Sequence, residues 1–247
     1  MITLKSDMEL GHMRKAGHLV ALALEKVAEE IKPGVATGDL DRMLEGFFLS
    51  QGAIPAFKGY NGFPASICAS VDDEVVHGIP GRRVLEEGQI ISIDVGAIVE
   101  GFYGDAAMTL PVGKISPAAQ RLIDATRQSL ERGITFAVEG NRLSDISHAI
   151  QTYVESVGFS VVRDFVGHGI GREMHEFPQI PNFGRPGHGP RLKPGMTLAV
   201  EPMVNAGGFE VVTDPDNWTV RTRDGSLSAH FEHTIAVTEN GPEILTR

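Results

Sequence analysis

Four acidic residues of this 247-residue chain lie in short apolar segments, where an isolated charge is costly. They are Asp94, Asp105, Glu201 and Glu232. The segments have the length and β-branched composition of strands, and none contains a lysine or arginine that could neutralise the carboxylate. We therefore predict that these side chains bind cations, and four carboxylates can hold more than one divalent ion.

Asp94 and Asp105 are predicted to face each other on paired strands. A hairpin that turns near Val99 and Glu100 would bring the two aspartates opposite each other, with their side chains within reach. A solvent-exposed position at a sheet edge would explain one such aspartate. It explains the pair poorly.

Three histidines are candidates for the same site. His168 lies in Gly167–Gly171, where glycine occupies every other position and leaves the imidazole unobstructed. The alternative, a dinucleotide-binding loop, is disfavoured because its spacing is Gly-x-Gly-x-x-Gly. His77 and His175 also lie beside candidate segments, although a lone histidine is more often a surface residue.

One imidazole with four carboxylates forms an oxygen-rich ligand set. Such a set suits manganese, iron(II) or cobalt better than the thiolate-rich sites of structural zinc do. Two ions bridged by carboxylates can hold one hydroxide and polarise a carbonyl at the same time.

Four helices and several short strands are predicted to position these residues. The first helix is expected to open at Ser6 and to stop before Pro33. The others are expected from about Thr37 to Ser50, from Pro117 to about Val138 and from about Ser144 to Ser156, and a loop is expected over 178–194.

An internal repeat relates the two halves of the chain. The second helix recurs 106 residues later as the fourth, and Asp94 recurs 107 residues later as Glu201. We predict an α+β fold in which two helix-helix-strand halves are related by a pseudo-twofold axis. No linker separates them, so residues 1–247 are expected to form one domain.

Composition restricts the possible binding partners of the protein and its cellular compartment. The net charge of −10, without any long cluster of basic residues, argues against nucleic-acid binding. Cys68 is the one cysteine, so no internal disulfide forms. Neither a signal peptide nor an apolar run long enough to span a membrane is recognisable, and we expect a soluble cytoplasmic protein.

The chain resembles the type I methionine aminopeptidases, which have the pita-bread fold. Motifs of that family occur in the family order along nearly the whole chain. The matching segments are Gly59–Pro64, His77–Pro80, Ile93–Gly96, Gly104–Asp105, Gly167–Gly171, His175–Pro178, Val200–Pro202 and Arg223–Thr234.

The resemblance implies a dinuclear centre of cobalt, manganese, iron or zinc ions. Its ligands would be Asp94, Asp105, His168, Glu201 and Glu232. A hydroxide bridging the two ions would attack the first peptide bond, with Glu201 as general base, His175 stabilising the oxyanion and His77 contacting the substrate near the scissile amide.

The resemblance also implies a pocket for the methionine side chain. Its walls would be Tyr60, Phe63, Cys68, Met174 and Trp218. Phe57, Phe63 and Met174 replace residues that are frequent in the family, but all three are apolar, so a preference for methionine is expected to survive.

The implied function is removal of the initiator methionine from nascent polypeptides whose second residue is small. The implied state is a cytoplasmic monomer, and docking on the ribosome is left open. Proline-specific relatives carry a large preceding domain, whereas 93 residues precede Asp94 here. Type II enzymes carry an insertion between the last two glutamates, which are 31 residues apart here. A non-catalytic binding module is disfavoured because all five ligands are present.

Overall fold

The four helices form close to where the sequence predicts them. The computed structural model describes residues 2–247, and its helices are α1 (Asp7–Glu30), α2 (Thr37–Ser50), α3 (Pro117–Thr135) and α4 (Leu143–Ser156). The Ser6 hydroxyl accepts the Glu9 N–H, and the Glu9 carboxylate accepts the Ser6 N–H, which satisfies donors at the start of α1. None of the described helices is long and apolar enough to cross a membrane.

Fifteen strands connect and follow these helices. They are β1 (Ile54–Pro55), β2 (Ile67–Val71), β3 (Glu74–Val76), β4 (Ile90–Val99), β5 (Phe102–Pro111), β6 (Ser160–Val161), β7 (Gly167–Gly169), β8 (Glu176–Ile180), β9 (Thr197–Val200), β10 (Met203–Asn205), β11 (Val211–Thr213), β12 (Val220–Thr222), β13 (Ser228–His230), β14 (Glu232–Thr238) and β15 (Gly241–Ile244). The predicted loop over 178–194 therefore starts too early, because residues 178–180 belong to β8 and Gln179 and Ile180 pair with β7.

The centre of the fold is a curled, antiparallel nine-stranded sheet. Its main order is β1-β4-β5-β14-β9-β7-β8, with β2 paired to β4 and β15 paired to β14. Two small sheets, β13-β10-β6 and β11-β12-β3, complete the strand pairing. One core cluster joins α1 and α2 to β2, β4 and β5, and another joins α3 and α4 to β9 and β14. This is the predicted pita-bread architecture.

The predicted internal repeat is visible in backbone pairing. Ala36 forms an isolated bridge with Val84, and the equivalent Arg142 forms one with Arg191. Leu85 and its counterpart Leu192 are both buried, and each accepts an N–H from the glycine that precedes α2 or α4. The two halves therefore connect their helices to β4 and β9, two strands of the same sheet, in equivalent ways.

The register of the β4–β5 hairpin corrects one prediction. The turn lies at Glu100 and Gly101, one residue later than the predicted Val99 and Glu100, so Asp94 pairs with Ala107 and Asp105 pairs with Gly96. The two aspartates are thus diagonal neighbours on one face and not directly opposite each other. The offset arises because the turn residues set the register of the hairpin.

Helix α1 contacts its neighbours at a glycine. A Cβ atom built on Gly17 would lie 2.2 Å from the Leu245 carbonyl oxygen, whereas one built on Gly11 of the same helix would meet nothing within 4 Å. The same part of α1 contacts Gly104, which precedes Asp105. Close packing at Gly17 therefore fixes the helix against strands that carry the site.

Alanine substitutions at these two glycines should have opposite effects. Gly11→Ala should raise the free energy of unfolding by up to about 1 kcal/mol, because alanine is the better helix former. Gly17→Ala gains the same propensity but clashes with the backbone, so we expect a net loss of about 1–3 kcal/mol. Urea denaturation of both variants measures the difference, and equal stabilisation by both would contradict the packing described here.

Candidate metal centre

Five neighbouring strands of the large sheet each carry one of the predicted metal ligands. In sheet order they are Asp94 on β4, Asp105 on β5, Glu232 on β14, Glu201 directly after β9 and His168 on β7. The chain order of these strands differs from their order in the sheet, so the fold gathers residues that are far apart in sequence. All five line one cavity.

The register explains why three of the carboxylates meet. Asp94 and Glu232 both pair with Ala107, from opposite sides of β5. Asp105 lies two residues before Ala107 and so shares its face of the sheet. Thr234 supports this arrangement, because its hydroxyl accepts the Asp105 N–H at 3.0 Å and donates to the Asp105 carbonyl oxygen at 2.7 Å.

The ligand atoms lie within the distances that a metal ion spans. His168 Nε2 is 3.5 Å from Glu201 Oε1 and 3.9 Å from Asp105 Oδ2. Ligand atoms of Asp105, His168 and Glu232 all lie within 4.8 Å of one another. The His168 ring is oriented by a 2.9 Å hydrogen bond between Nδ1 and the Gly169 carbonyl oxygen, which leaves Nε2 free for a ligand.

The donor set fits divalent cations. Asp94 Oδ1, Asp105 Oδ1 and Glu232 Oε1 are buried and have no hydrogen-bond partner. No lysine or arginine occurs among the described residues that line the cavity. Negative charge therefore accumulates at this point without a protein cation to balance it, which is the environment that a bound cation stabilises.

Burial also changes the protonation of these groups. It raises the pKa of Asp94 to about 7, and burial together with the neighbouring carboxylates raises the pKa values of Asp105, Glu201 and Glu232 well above their ordinary values. Burial lowers the pKa of His168 to about 4. A neutral imidazole is the form that binds metal.

An apolar wall lies beside the five ligands in a cavity of about 220 Å³. Phe57, Phe63, Cys68 and Met174 form a buried cluster there, and Trp218 contacts the Phe63 ring edge-on with centroids 5.1 Å apart. Cys68 lies on β2 and pairs with Asp94 across the sheet. The cavity thus joins an apolar pocket directly to the carboxylates.

Two further predicted residues, His77 and His175, face the same cavity. The His175 ring lies against His168, with centroids 4.2 Å apart and the ring planes tilted by 46°, and its Nδ1 lies 2.7 Å from the Tyr60 hydroxyl. Burial lowers the pKa of His77 to about 4 and also lowers the pKa of His175. All of the predicted site residues are therefore gathered at one cavity, while their individual roles stay predictions.

The structure adds cavity residues that the sequence analysis did not select. They are Asn61, Val76, Phe165, Val166, Met203 and His230. His230 had a usable signal, because it lies two residues before Glu232 and residues at that spacing share one face of a strand. The others come from loops and short strands whose approach to the cavity has no periodic signature.

Comparisons with known proteins agree with this site. Residues 11–239 match the model of metallopeptidase family M24. Methionine aminopeptidase 1 of Bacillus subtilis is 60% identical over 247 residues, covering 100% of both chains. The crystal structure of methionine aminopeptidase from Thermotoga maritima superposes with a TM-score of 0.99 at 52% identity, covering 100% of both chains.

A more distant relative shares the fold. Prolidase from Pyrococcus furiosus gives a TM-score of 0.79 at 22% identity, and the match covers 99% of this chain and 65% of the prolidase. At that identity the likeness shows the fold alone. The family match and the full-length identities together place the sequence more narrowly: the chain belongs to metallopeptidase family M24 and, within it, to the methionine aminopeptidases.

Proposed function

We propose that this protein removes the initiator methionine from nascent polypeptides whose second residue is small. The observation that carries the proposal is the direct contact between an apolar pocket and a cluster of metal-binding side chains. An N-terminal methionine with its side chain in the pocket would present its first peptide bond to that cluster. The proposal also takes residues 1–247 as one catalytic domain that acts as a cytoplasmic monomer.

The pocket has the chemistry that a methionine side chain needs. Its buried wall of Phe57, Phe63, Cys68 and Met174 offers no charge to an apolar thioether. The Phe63 and Trp218 rings lie edge to face, and aromatic edges make favourable contacts with sulfur. A charged or strongly polar first residue would lose its hydration here without compensation.

Two divalent ions would be held by Asp94, Asp105, His168, Glu201 and Glu232. Asp105 and Glu232 lie centrally among these ligands and are suited to touch both ions. Cobalt, manganese, iron and zinc all fit this set of oxygen and imidazole donors. When bound, the ions would lower the pKa of an attacking water and polarise the scissile carbonyl.

Glu201 is the best placed proton carrier. Its carboxylate lies beside His168 at the edge of the cavity, and burial together with Asp105 and Asp94 raises its pKa well above the ordinary value. Burial disfavours the charged form of the carboxylate, which makes it a better proton acceptor, and the proton it accepts can pass to the leaving amine. Glu201 would therefore serve as general base and then as general acid.

His175 would stabilise the oxyanion. When its Nδ1 accepts the Tyr60 O–H across 2.7 Å, Nε2 carries the ring proton and can donate to negative charge on the carbonyl oxygen. Burial lowers the pKa of His175, so the imidazole donates as a neutral group. His77, on the same cavity, would contact the substrate near the scissile amide.

A substrate panel tests the proposed function against its two rivals. Metal-stripped protein is assayed on Met-Ala-Ser, Met-Leu-Ser and Ala-Pro-Ala with manganese, cobalt, iron(II) or no metal. We expect metal-dependent release of methionine from Met-Ala-Ser, much less from Met-Leu-Ser and no cleavage of Ala-Pro-Ala. Cleavage of Ala-Pro-Ala alone would identify an Xaa-Pro peptidase, and folded protein that cleaves nothing would identify a binding module.

Removing the charge of a central ligand should abolish turnover. Asp105→Asn and Glu232→Gln keep the size of the side chain but replace a carboxylate oxygen with an amide, so kcat/KM on Met-Ala-Ser should fall roughly 1,000-fold or more. Glu239→Gln, at an exposed position just after β14, is the matched control and should keep full activity. Near-normal activity of either ligand variant would refute the two-ion assignment.

Tyr60→Phe should slow the chemical step. It removes the hydroxyl that orients the His175 ring, while the aromatic face of the pocket remains. We expect kcat to fall about tenfold with little change in KM, since an orienting partner acts mainly in the transition state. Tyr103→Phe is the control, because Tyr103 packs against the same apolar cluster but does not line the cavity. A change in KM alone would show that the hydroxyl serves substrate binding.

The stability of the metal-free protein should fall as pH rises from 7 to 9. Unfolded histidines, with a pKa of 6.5, are about one quarter charged at pH 7 and almost neutral from pH 8, so they oppose this decline only at the start of the range. Buried carboxyls with raised pKa values stay partly protonated in the folded state only, so the folded state binds more protons and unfolding becomes easier as pH rises. Thermal melts would show a declining Tm, and saturating manganese should remove most of the decline. A flat metal-free profile would contradict the burial described here.

A further inference from the structure

His230 is the most deeply placed polar residue of the cavity to which the proposed function gives no role. It ends β13, two residues before Glu232, and is 2% exposed. Its Nε2 is buried and has no hydrogen-bond partner. A buried imidazole nitrogen without a partner is uncommon in folded proteins, because nearly all buried polar atoms are paired.

The unpaired nitrogen points toward the carboxylate of Glu201. His230 Nε2 lies 3.9 Å from Glu201 Oε2, while His168 Nε2 lies 3.5 Å from the other oxygen, Oε1. The carboxylate is therefore flanked by two imidazoles, one at each oxygen. At 3.9 Å the His230 nitrogen is too far from Oε2 for a direct hydrogen bond.

The distance between His230 Nε2 and Glu201 Oε2 is one that two ligands of a shared metal ion can have. Two donors bound to one ion at about 2.1 Å stand roughly 3 to 4 Å apart, depending on the angle between them. Ligand atoms of Glu201, His230 and Glu232 lie within 4.8 Å of one another, as those of Asp105, His168 and Glu232 do. Glu232 belongs to both groups.

The backbone holds the His230 ring in this place. The His230 N–H donates to Thr109 Oγ1 at 2.8 Å, and the Thr109 hydroxyl donates to the His230 carbonyl oxygen at 2.9 Å. Pairing of His230 with Met203 fixes its other side. These bonds anchor the residue to β5, the strand that carries Asp105, so the imidazole is positioned before any ion binds.

We propose that His230 is a sixth ligand of the metal centre and binds, through Nε2, the ion shared with Glu201 and Glu232. This rests on the proposed dinuclear site. The centre would then hold two imidazoles, His168 and His230, one at each oxygen of the Glu201 carboxylate. Imidazole suits iron, cobalt and zinc better than manganese, which prefers oxygen donors, so His230 would bias the site toward the former ions.

The test compares His230→Gln with His233→Gln. His233 is the next histidine along the chain, and its Nδ1 contacts Thr246 Oγ1 at 2.8 Å, away from the site. Metal-free protein of each kind is titrated with cobalt and, separately, with manganese by calorimetry. Imidazole ligands in the cobalt-loaded proteins are counted by X-ray absorption spectroscopy.

The expected result is a loss of one imidazole in H230Q and no loss in H233Q. The cobalt Kd of one of the two ions should rise about tenfold or more in H230Q, and the manganese Kd should rise less. An unchanged imidazole count and cobalt Kd in H230Q would overturn the proposal. If H230Q does not fold, H230N replaces it. A wild-type count of one imidazole per two cobalt ions would also overturn the proposal.

These readouts do not depend on peptidase activity. Wild-type cleavage of Met-Ala-Ser, measured in parallel, reports on the proposed function alone. Cleavage by the wild-type protein together with an unchanged imidazole count in H230Q would refute the role of His230 but support the proposed function. Loss of one imidazole in H230Q without cleavage by the wild-type protein would refute the proposed function but support His230 as a metal ligand.

Discussion

The structure depends on the burial of four mutually repelling carboxylates at the centre of one sheet. Asp94, Asp105, Glu201 and Glu232 face a cavity in which no described lining residue is lysine or arginine, and three of their oxygens have no hydrogen-bond partner. Such an arrangement is unfavourable unless cations neutralise it. The strands of the large sheet carry these groups, and the helices packed on the sheet hold those strands in place.

The internal repeat explains how one chain brings these carboxylates together in one sheet. Asp94 and Glu201 follow equivalent apolar runs of β4 and β9, and each strand is preceded by a glycine with a positive φ, Gly88 at 92° and Gly195 at 88°. Each half contributes a helix pair and a core cluster, so both strands are supported from outside in the same way. Between them, β5 and β14 carry Asp105 and Glu232, the two ligands at the middle of the sheet order.

Sequence patterns predicted most of this arrangement because they reflect local physics. Capping residues and apolar periodicity located the helices to within three residues, and the repeat predicted the two halves. The diagonal register of Asp94 and Asp105 depends on a turn conformation that residue types alone did not fix. His230 has a signal in its spacing of two residues from Glu232, but the chain passes from β13 to β14 between them, so that spacing alone does not place His230 in the cavity. Loop residues such as Phe165 reach the cavity only through tertiary packing.

The most direct test of the central claim is anomalous diffraction from crystals of this protein soaked in cobalt, recorded on both sides of the cobalt absorption edge. We expect two anomalous peaks, one for each cobalt ion, between the side chains of β4, β5, β14, β9 and β7, with Asp105 and Glu232 contacting both. Well-ordered crystals that show no peak in this cavity, or that bind cobalt only at surface carboxylates, would contradict it.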